Sequence, residues 1–450
     1  IIEKIKKVIT FNLRNFFIYT NYIMENPMRN LPRSMQYSLG VGADTIPSTT
    51  RLHRWDSTHS SYISESNNVA HIPIAADGFI QTSEGYLFLQ VTNNSTTQPA
   101  NLDGNGNCLI DKVEISVAGS SGKVEIIENY NTLALLKGAY NNTLEHQNYL
   151  ANTAGAGTAE VGQTPDGVAL AAGGGATQIA LKLDCCGFLN DYYKKAIPMG
   201  MQQFTITITF ASADVALNHT TNAAARTYTI DNLRYYAPVF NINDAGVNAQ
   251  FMQQAGSQGV AWVGQSYGSI INTRTANAGT QSFQLNPRYK SLNSLVSLQR
   301  PSAGLTTYNV NVVAATNLDN MSSFQYKIFG SNYPQDGIDY TATTNQSRAY
   351  LEAAKSLAPK GRELATGQQV ASAIFRGTTA QNGKGVMAID LKRFDEGMLV
   401  NCGLNTAGNS APITLEAVYG AGGAAQQVLT FALYDMVFEM RPDRVVETSY

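Results

Sequence analysis

Two short stretches carry residue types at spacings that could do chemistry. The first is "DGNGNCLIDKVE", Asp103 to Glu114. Its oxygen-bearing side chains fall at positions 1, 3, 5, 9 and 12, with an isoleucine at position 8, which is the ligand rhythm of a helix–loop–helix calcium site. The second is "GQSYG", residues 264–268, which has the G-x-S-x-G spelling of a nucleophile elbow, with Ser266 as the nucleophile and a histidine required as its base.

The flanks argue against both. A calcium hand needs a helix on each side of its loop and a glycine at the sixth position. Here the strand-like "GYLFLQVTN" precedes, the strand-like "DKVEISVAG" follows, and Cys108 occupies position six. Val113, Ile115 and Val117 alternate with Lys112, Glu114 and Ser116, so Glu114 is expected to face solvent from a strand, and "DGNGN" to be a turn using glycines at positive φ. For the elbow, all five histidines (His53, His59, His71, His146 and His219) precede Ser266, whereas the base of such hydrolases follows the serine. The β-branched "SIINTR" after it is a poor helix, so Ser266 is read as structural.

Other chemistry is equally sparse. There is no P-loop, no G-x-G-x-x-G between strand and helix, and no H-E-x-x-H. His53 and His59, near Trp55 and Asp56, are too loosely spaced for a ligand set and are assigned to a polar arm. Asp395 and Glu396 read as the solvated end of a strand–loop junction. Six N-x-S/T sites (Asn93, Asn94, Asn141, Asn218, Asn320 and Asn345) are what composition alone would produce in an Asn- and Thr-rich chain. The four cysteines include no C-x-x-C pair and are read as buried thiols of a reducing compartment. No catalytic residue, cofactor site or metal site is therefore expected, and the chain is not read as an enzyme.

The elements that would position any such residues are strands. Charged residues make up 14% of the chain, against roughly a quarter in an average soluble protein, and Asn, Gln, Thr, Ser and Gly replace them. A formal charge of −2 argues against a surface that grips nucleic acid throughout. Period-2 alternation marks 85–93, 111–119, 203–212 and 227–240 in one half, and 308–315, 324–330, 385–391, 412–420 and 427–440 in the other. Helical signals are few, at 128–140, 243–257 and 345–359, the last stopped by Pro359. Many strands with few helices between them mean antiparallel sandwiches, divided at the 243–257 connector. The polar stretches 94–108 and 141–178 are expected to be exposed loops.

The first residues, "IIEKIKKVITFNLRNFFIYTNYIM", carry Lys4, Lys6, Lys7 and Arg14 against Glu3. No apolar run reaches the ~18 residues a spanning helix needs, and no signal-peptide pattern is clear. The segment reads either as a basic amphipathic arm or as a tail upstream of a start at Met24 or Met28, and the body is expected to be soluble.

Several segments resemble the double-jelly-roll major capsid proteins of double-stranded DNA viruses, the tectivirus and adenovirus-like lineage, and most nearly those of polinton-like viruses or virophages. "LKLDCCGFLNDYYKKAIPMGMQQFTITITF" (181–210) is similar to the family's strand, "aIP" loop and strand late in the first jelly roll. "YTIDNLRYYAPVFNIND" (228–244) resembles its closing strand and connector. "FQYKIFGSNYPQDGIDY" (324–340) resembles the Tyr-Pro turn of the second jelly roll, and "IDLKRFDEGMLVNCGLNTAGNSAPITLEAVYG" (389–420) with "TFALYDMVFEM" (430–440) its final strands.

The resemblance implies an all-β fold of two consecutive antiparallel eight-stranded jelly rolls, with a few short helices in connections. It implies an interior-facing arm over 1–59, a first jelly roll over 60–242, a helical connector over 243–258, a second jelly roll over 259–440 and a tail over 441–450. It further implies a structural protein of the virion shell, assembled inside the host cell. Homotrimers would form pseudo-hexagonal capsomers tiling an icosahedral shell, alongside penton and minor capsid proteins. The basic arm would meet an internal membrane, the genome or a minor protein, and 94–108 and 141–178 would project outward. Two other classes are compatible with β-sandwiches. A secreted two-domain adhesin or carbohydrate-binding protein predicts an aromatic platform and a monomer, and a glycoside-processing enzyme predicts two carboxylates across a cleft.

Overall fold

Sixteen of the described strands form the framework of two sandwiches. The first uses β1 (Ser48–Asp56), β2 (Val69–Ile74), β3 (Tyr86–Asn93), β4 (Ile110–Val117), β5 (Lys123–Glu128), β6 (Thr177–Leu181), β7 (Phe204–Phe210) and β8 (Tyr228–Ile242). The second uses β9 (Val260–Arg274), β10 (Gly279–Gln284), β11 (Leu292–Pro301), β12 (Met321–Ile328), β13 (Ser331–Asp339), β14 (Met387–Asp390), β15 (Ile413–Tyr419) and β16 (Gln426–Met440). These come from a computed structural model that describes residues 48–450. It leaves out 157–166, 200–202, 220–226, most of 244–258, 302–312, 342–345, 360–374, 376–382, 393–401, 442–444 and a few single positions. Residues 48–450 form one compact unit.

Alternation sets which face of each strand turns inward. In β7, Phe204, Ile206, Ile208 and Phe210 are buried and the three threonines between them are half-exposed. Each of those four buried side chains contributes about 1.5–3 kcal/mol. Ile206 lies opposite Ile72 of β2 on one side and Ile115 of β4 on the other, so the apolar rows of three strands meet in register.

Strand order identifies the architecture. Among these sixteen, the first sandwich has sheets β1-β8-β3-β6, to which the short strands Ser61–Ile63, Phe79–Ile80 and Ile197–Pro198 add, and β2-β7-β4-β5; the second has β9-β16-β11-β14 and β10-β15-β12-β13. Adding eight to each number of the first pair gives the second pair, so one eight-stranded antiparallel connectivity occurs twice. Chain neighbours are repeatedly placed in opposite sheets, which is the jelly-roll arrangement. The fold is all-β, two consecutive jelly rolls, as the resemblance implied. Helices sit in matching connections: α1 (Tyr130–Asn141) and α2 (Leu144–Thr153) between β5 and β6, and α3 (Ser347–Ser356) between β13 and β14.

The structure corrects several sequence-based expectations. Residues 48–56, placed in the arm, form β1 and pair along their whole length with β8, from Ser48 opposite Ile242 to Asp56 opposite Arg234. His53 is thus a strand residue whose ring lies 4.5 Å from that of Trp55. Val446–Ser449, placed in the tail, pairs with β16 as an added strand, β17. Most of the 243–258 connector, and Asp395 with Glu396, lie outside the described residues. The stretches 94–108 and 141–178 are not bare loops. Ala100–Leu102 pairs with Ala169–Leu170 and Leu217–His219 in a small sheet, and Leu102, Leu109 and Leu170 are buried.

Candidate functional site: the seam between the two sandwiches

Both motifs that suggested chemistry end up where one sandwich meets the other. Ser266 lies inside β9, not at a strand-to-helix turn, and its Oγ donates to Glu125 Oε1 of β5 at 2.6 Å. Glu125 is buried, and the backbone N–H groups of Gly187 and Phe188 also donate to its carboxylate, each at 2.9 Å. Burial pushes its carboxyl pKa up, and the hydroxyl and the two N–H donors oppose that rise without cancelling it. One acidic side chain thereby fastens a strand of the first sandwich, a loop of the first sandwich and a strand of the second.

The glycines of "GQSYG" have a steric reason. A Cβ on Gly264 would lie 2.6 Å from both the C and Cα atoms of Gly187, so the two backbones touch where a side chain would separate them. The loop around Gly187 is held on both sides of this contact. Tyr192 N donates to Val263 O at 3.0 Å, and Val263 N donates to Asp191 Oδ1 at 3.0 Å. Beside them, Phe188 meets Phe204 of β7, Trp262 of β9 and Phe438 of β16, with ring centroids 5.2–5.4 Å apart.

A second buried carboxylate, Asp435 of β16, accepts from Tyr192 Oη at 2.6 Å, Ser291 Oγ at 2.7 Å and Asn293 Nδ2 at 2.9 Å. Further along, Arg300 of β11 donates to Thr132 Oγ1 and Asn129 Oδ1 at the start of α1. Its burial pulls the guanidinium pKa down to about 10, with Asp111 opposing. Lys137 of α1 donates to Tyr267 Oη at 2.9 Å and to Asp184 O at 3.1 Å. Tyr140 of α1 donates to the carbonyl of Lys384, whose own ammonium is pushed down to about 8 by burial, with the negative charge of Asp103 opposing.

The calcium-like stretch is absorbed in the same way. Asp103 Oδ2 accepts the N–H of Val313, a residue of the second half, at 2.7 Å. Gly104 takes φ +90, as the turn reading requires, but Gly106 is needed for space instead, since a Cβ there would lie 2.7 Å from Ile179 Cγ2. Asn105 Oδ1 accepts from Asn107 N and opens a single 3-10 turn, Gly106–Leu109, not a helix of a hand. Glu114 lies on the side of β4 away from Val113, Ile115 and Val117, as the alternation suggested, but it is not free in solvent: it is buried in ion pairs to Lys112 at 2.8 Å and Lys123 at 2.6 Å. Among the described residues, no three His, Cys, Asp or Glu side chains are grouped to hold a metal.

Chemically, this is a clamp of buried, hydrogen-bonded carboxylates, with Trp262 Nε1 and Asn293 Oδ1 beside them left without a partner. Ser266 bonds to a carboxylate, not an imidazole. A half-open cleft of about 320 Å³ lies beside α1, and its described lining holds one carboxylate, Asp184, with Lys137, Lys182 and His146. That is not the two-carboxylate cleft of a glycosidase. The four cysteines are free and buried, and burial drives the Cys185 thiol up to about 12. No described helix is long and apolar enough to cross a membrane. Sequence spacing pointed to Gly264 and Ser266 for the wrong reason and gave no signal for Glu125 or Asp435, whose partners lie 62–243 positions away.

No protein-family model matches the chain, and no curated protein is similar to it in sequence. Solved structures are. The PBCV-1 virus capsid aligns with 91% of this chain and 98% of its own at 11% identity and a TM-score of 0.57. The Faustovirus major capsid protein aligns with 89% of this chain and 92% of its own at 9% identity and a TM-score of 0.56. The mavirus major capsid protein aligns with 93% of this chain and 94% of its own at 13% identity and a TM-score of 0.51. These are double-jelly-roll major capsid proteins, and this chain has their fold.

Proposed function

We propose that this chain is a viral major capsid protein, a non-enzymatic building block of the virion shell. Three copies associate so that six sandwiches ring one axis, and the resulting capsomers tile an icosahedral surface next to penton and minor capsid proteins. The observation that carries this reading is the duplicated eight-strand connectivity, clamped by a buried seam, in a chain that aligns almost end to end with three capsid proteins. A clamp of this kind suits a part that must hold its shape under mechanical stress. It fixes the angle between the two sandwiches, and a fixed angle lets closed symmetry follow from one repeated contact.

In this reading 1–47 is the interior-facing arm, whose Lys4, Lys6, Lys7 and Arg14 meet an internal membrane, the genome or a minor protein. The α1–α2 connection and the small sheet at 100–102 lie on the outward side. Sedimentation and negative-stain imaging of the purified chain test the reading. A particle near three times 48.6 kDa with a six-lobed outline is expected. A chain that stays a monomer at tens of micromolar overturns it.

A further inference from the structure

One stripe of α1 is built differently from the rest of that helix. Leu133, Leu136, Ala139 and Tyr140 belong to the buried core. Tyr130, Ala134, Lys137, Gly138 and Asn141 instead fall at i, i+4, i+7, i+8 and i+11, a single helical face, and all five line the half-open cleft of about 320 Å³. The middle of that stripe is small. Glycine inside a helix is less favourable than alanine, yet Gly138 stands there one turn after Ala134, and together they leave open the space that larger side chains would fill.

The polar groups of the lining are of two kinds. Lys137 and Lys182 against Asp184 give it a formal charge of 2 − 1 = +1, in a chain whose formal charge is −2. Lys137 uses two of its three N–H groups on Tyr267 Oη and the Asp184 carbonyl, which leaves one, and Lys182 is exposed. The second kind are acceptors. Asn107 Nδ2 donates to Asn105 Oδ1 and Asn141 Nδ2 donates to Leu357 O, while the amide oxygens of Asn107 and Asn141 are buried without a partner. A buried acceptor in that state costs free energy, which a hydroxyl donor brought to it recovers. A ligand that matches both kinds carries an anionic group at one place and hydroxyls at others.

We propose that this cleft binds an acidic sugar, a single glycan residue bearing a carboxylate. Lys182 and the remaining N–H of Lys137 take the carboxylate, while Asp184 and, after a small turn of their amides, Asn107 and Asn141 accept ring hydroxyls. The volume lies at the small end of the roughly 300–1,000 Å³ found for ligand clefts, which suits one ring and not a long chain. A neutral sugar lacks the first half of the match, and a bare inorganic anion lacks the second. The cleft lies within one chain, so the proposal goes beyond the capsid reading and does not depend on it.

Calorimetric titration of the full chain with glucuronic acid, glucose and inorganic sulfate tests it. Glucuronic acid is expected to bind at least about tenfold tighter than either of the others. Two variants locate the site. Lys182→Gln removes one charge from an exposed side chain, and Gly138→Leu fills the cleft with a better helix former. Lys137 is left alone because it also holds Tyr267 at the seam. Each variant is expected to weaken glucuronic acid at least about tenfold with the unfolding midpoint unchanged or raised, and Lys182→Gln decides alone if the leucine disturbs the fold. Sulfate binding as tightly as glucuronic acid reduces the cleft to an anion trap and overturns the sugar. Glucuronic acid that binds no tighter than glucose, or that Lys182→Gln leaves at wild-type strength, overturns the site. Sedimentation of the same samples reads assembly separately, so trimers that fail to bind leave the capsid reading standing.

Discussion

Replacing Gly264 with alanine adds one methyl group where β9 meets the Gly187 loop. Its backbone φ is not in the left-handed region, so in an open strand the change would help by about 0.5–1 kcal/mol. The neighbourhood reverses the sign. The new Cβ would stand 2.6 Å from two backbone atoms of Gly187 and closer still to its carbonyl oxygen, whereas real Cβ contacts are essentially never under 3.0 Å. The loop must retreat, and overpacking of this kind costs about 1–3 kcal/mol. Retreat also stretches the Gly187 and Phe188 N–H bonds to Glu125, and a hydrogen bond to a charged group contributes about 1.5–3 kcal/mol. The net is a loss of about 1.5–5.5 kcal/mol, read as a fall of several degrees in the unfolding midpoint by circular dichroism. Gly337→Ala in β13 is the control, since its nearest neighbour is Phe324 O at 3.8 Å; it is expected to be neutral or stabilising by up to about 1 kcal/mol. Equal midpoints for the two variants would refute the idea that backbone contact at the seam is what the glycine provides.

Lys384 has a folded pKa of about 8, below the ordinary lysine value of about 10.4. Between those values the unfolded chain holds a proton that the folded chain has released, so this residue makes stability rise with pH across that window, by at most about 3 kcal/mol. Denaturant midpoints from pH 7.5 to 9.5 should climb in the wild type and lose that component in Lys384→Met; parallel curves for the two would discard the assignment. The four thiols, all buried and with Cys185 near 12, should resist an aromatic disulfide reagent in the native state and all react after denaturation. Rapid reaction of any of them in the folded chain contradicts that burial.

Strands with one dry face were legible from sequence. Residues 203–212 and 227–240 foretold β7 and β8 to within two residues, because period-2 alternation records a strand with water on one side. β1 was missed because seven of its nine residues are exposed and Trp55 alone is buried, which leaves no period to see. β9 was missed for a different reason. Its inward positions Trp262, Gly264 and Ser266 do alternate, but two of them are a glycine and a serine, and Tyr267 next to them is buried as well, so no apolar period shows. Glu125 was illegible as a clamp, since an acidic residue in "KVEIIE" reads as a wet position until Gly187, Phe188 and Ser266 are brought to it by the fold.

Strand β16 is buried along both faces over most of its length, and that bears on how such a protein changes over time. A residue there, such as Phe431 or Leu433, has no direction in which a larger or more polar substitute could escape, so each replacement requires a matching adjustment in the layer above or below. Variation is thereby steered away from the middle of the molecule and toward segments such as α2, where Tyr149 is already exposed and a new side chain meets only solvent. Lineages of this chain should drift in their outer segments while their central layer stays nearly frozen.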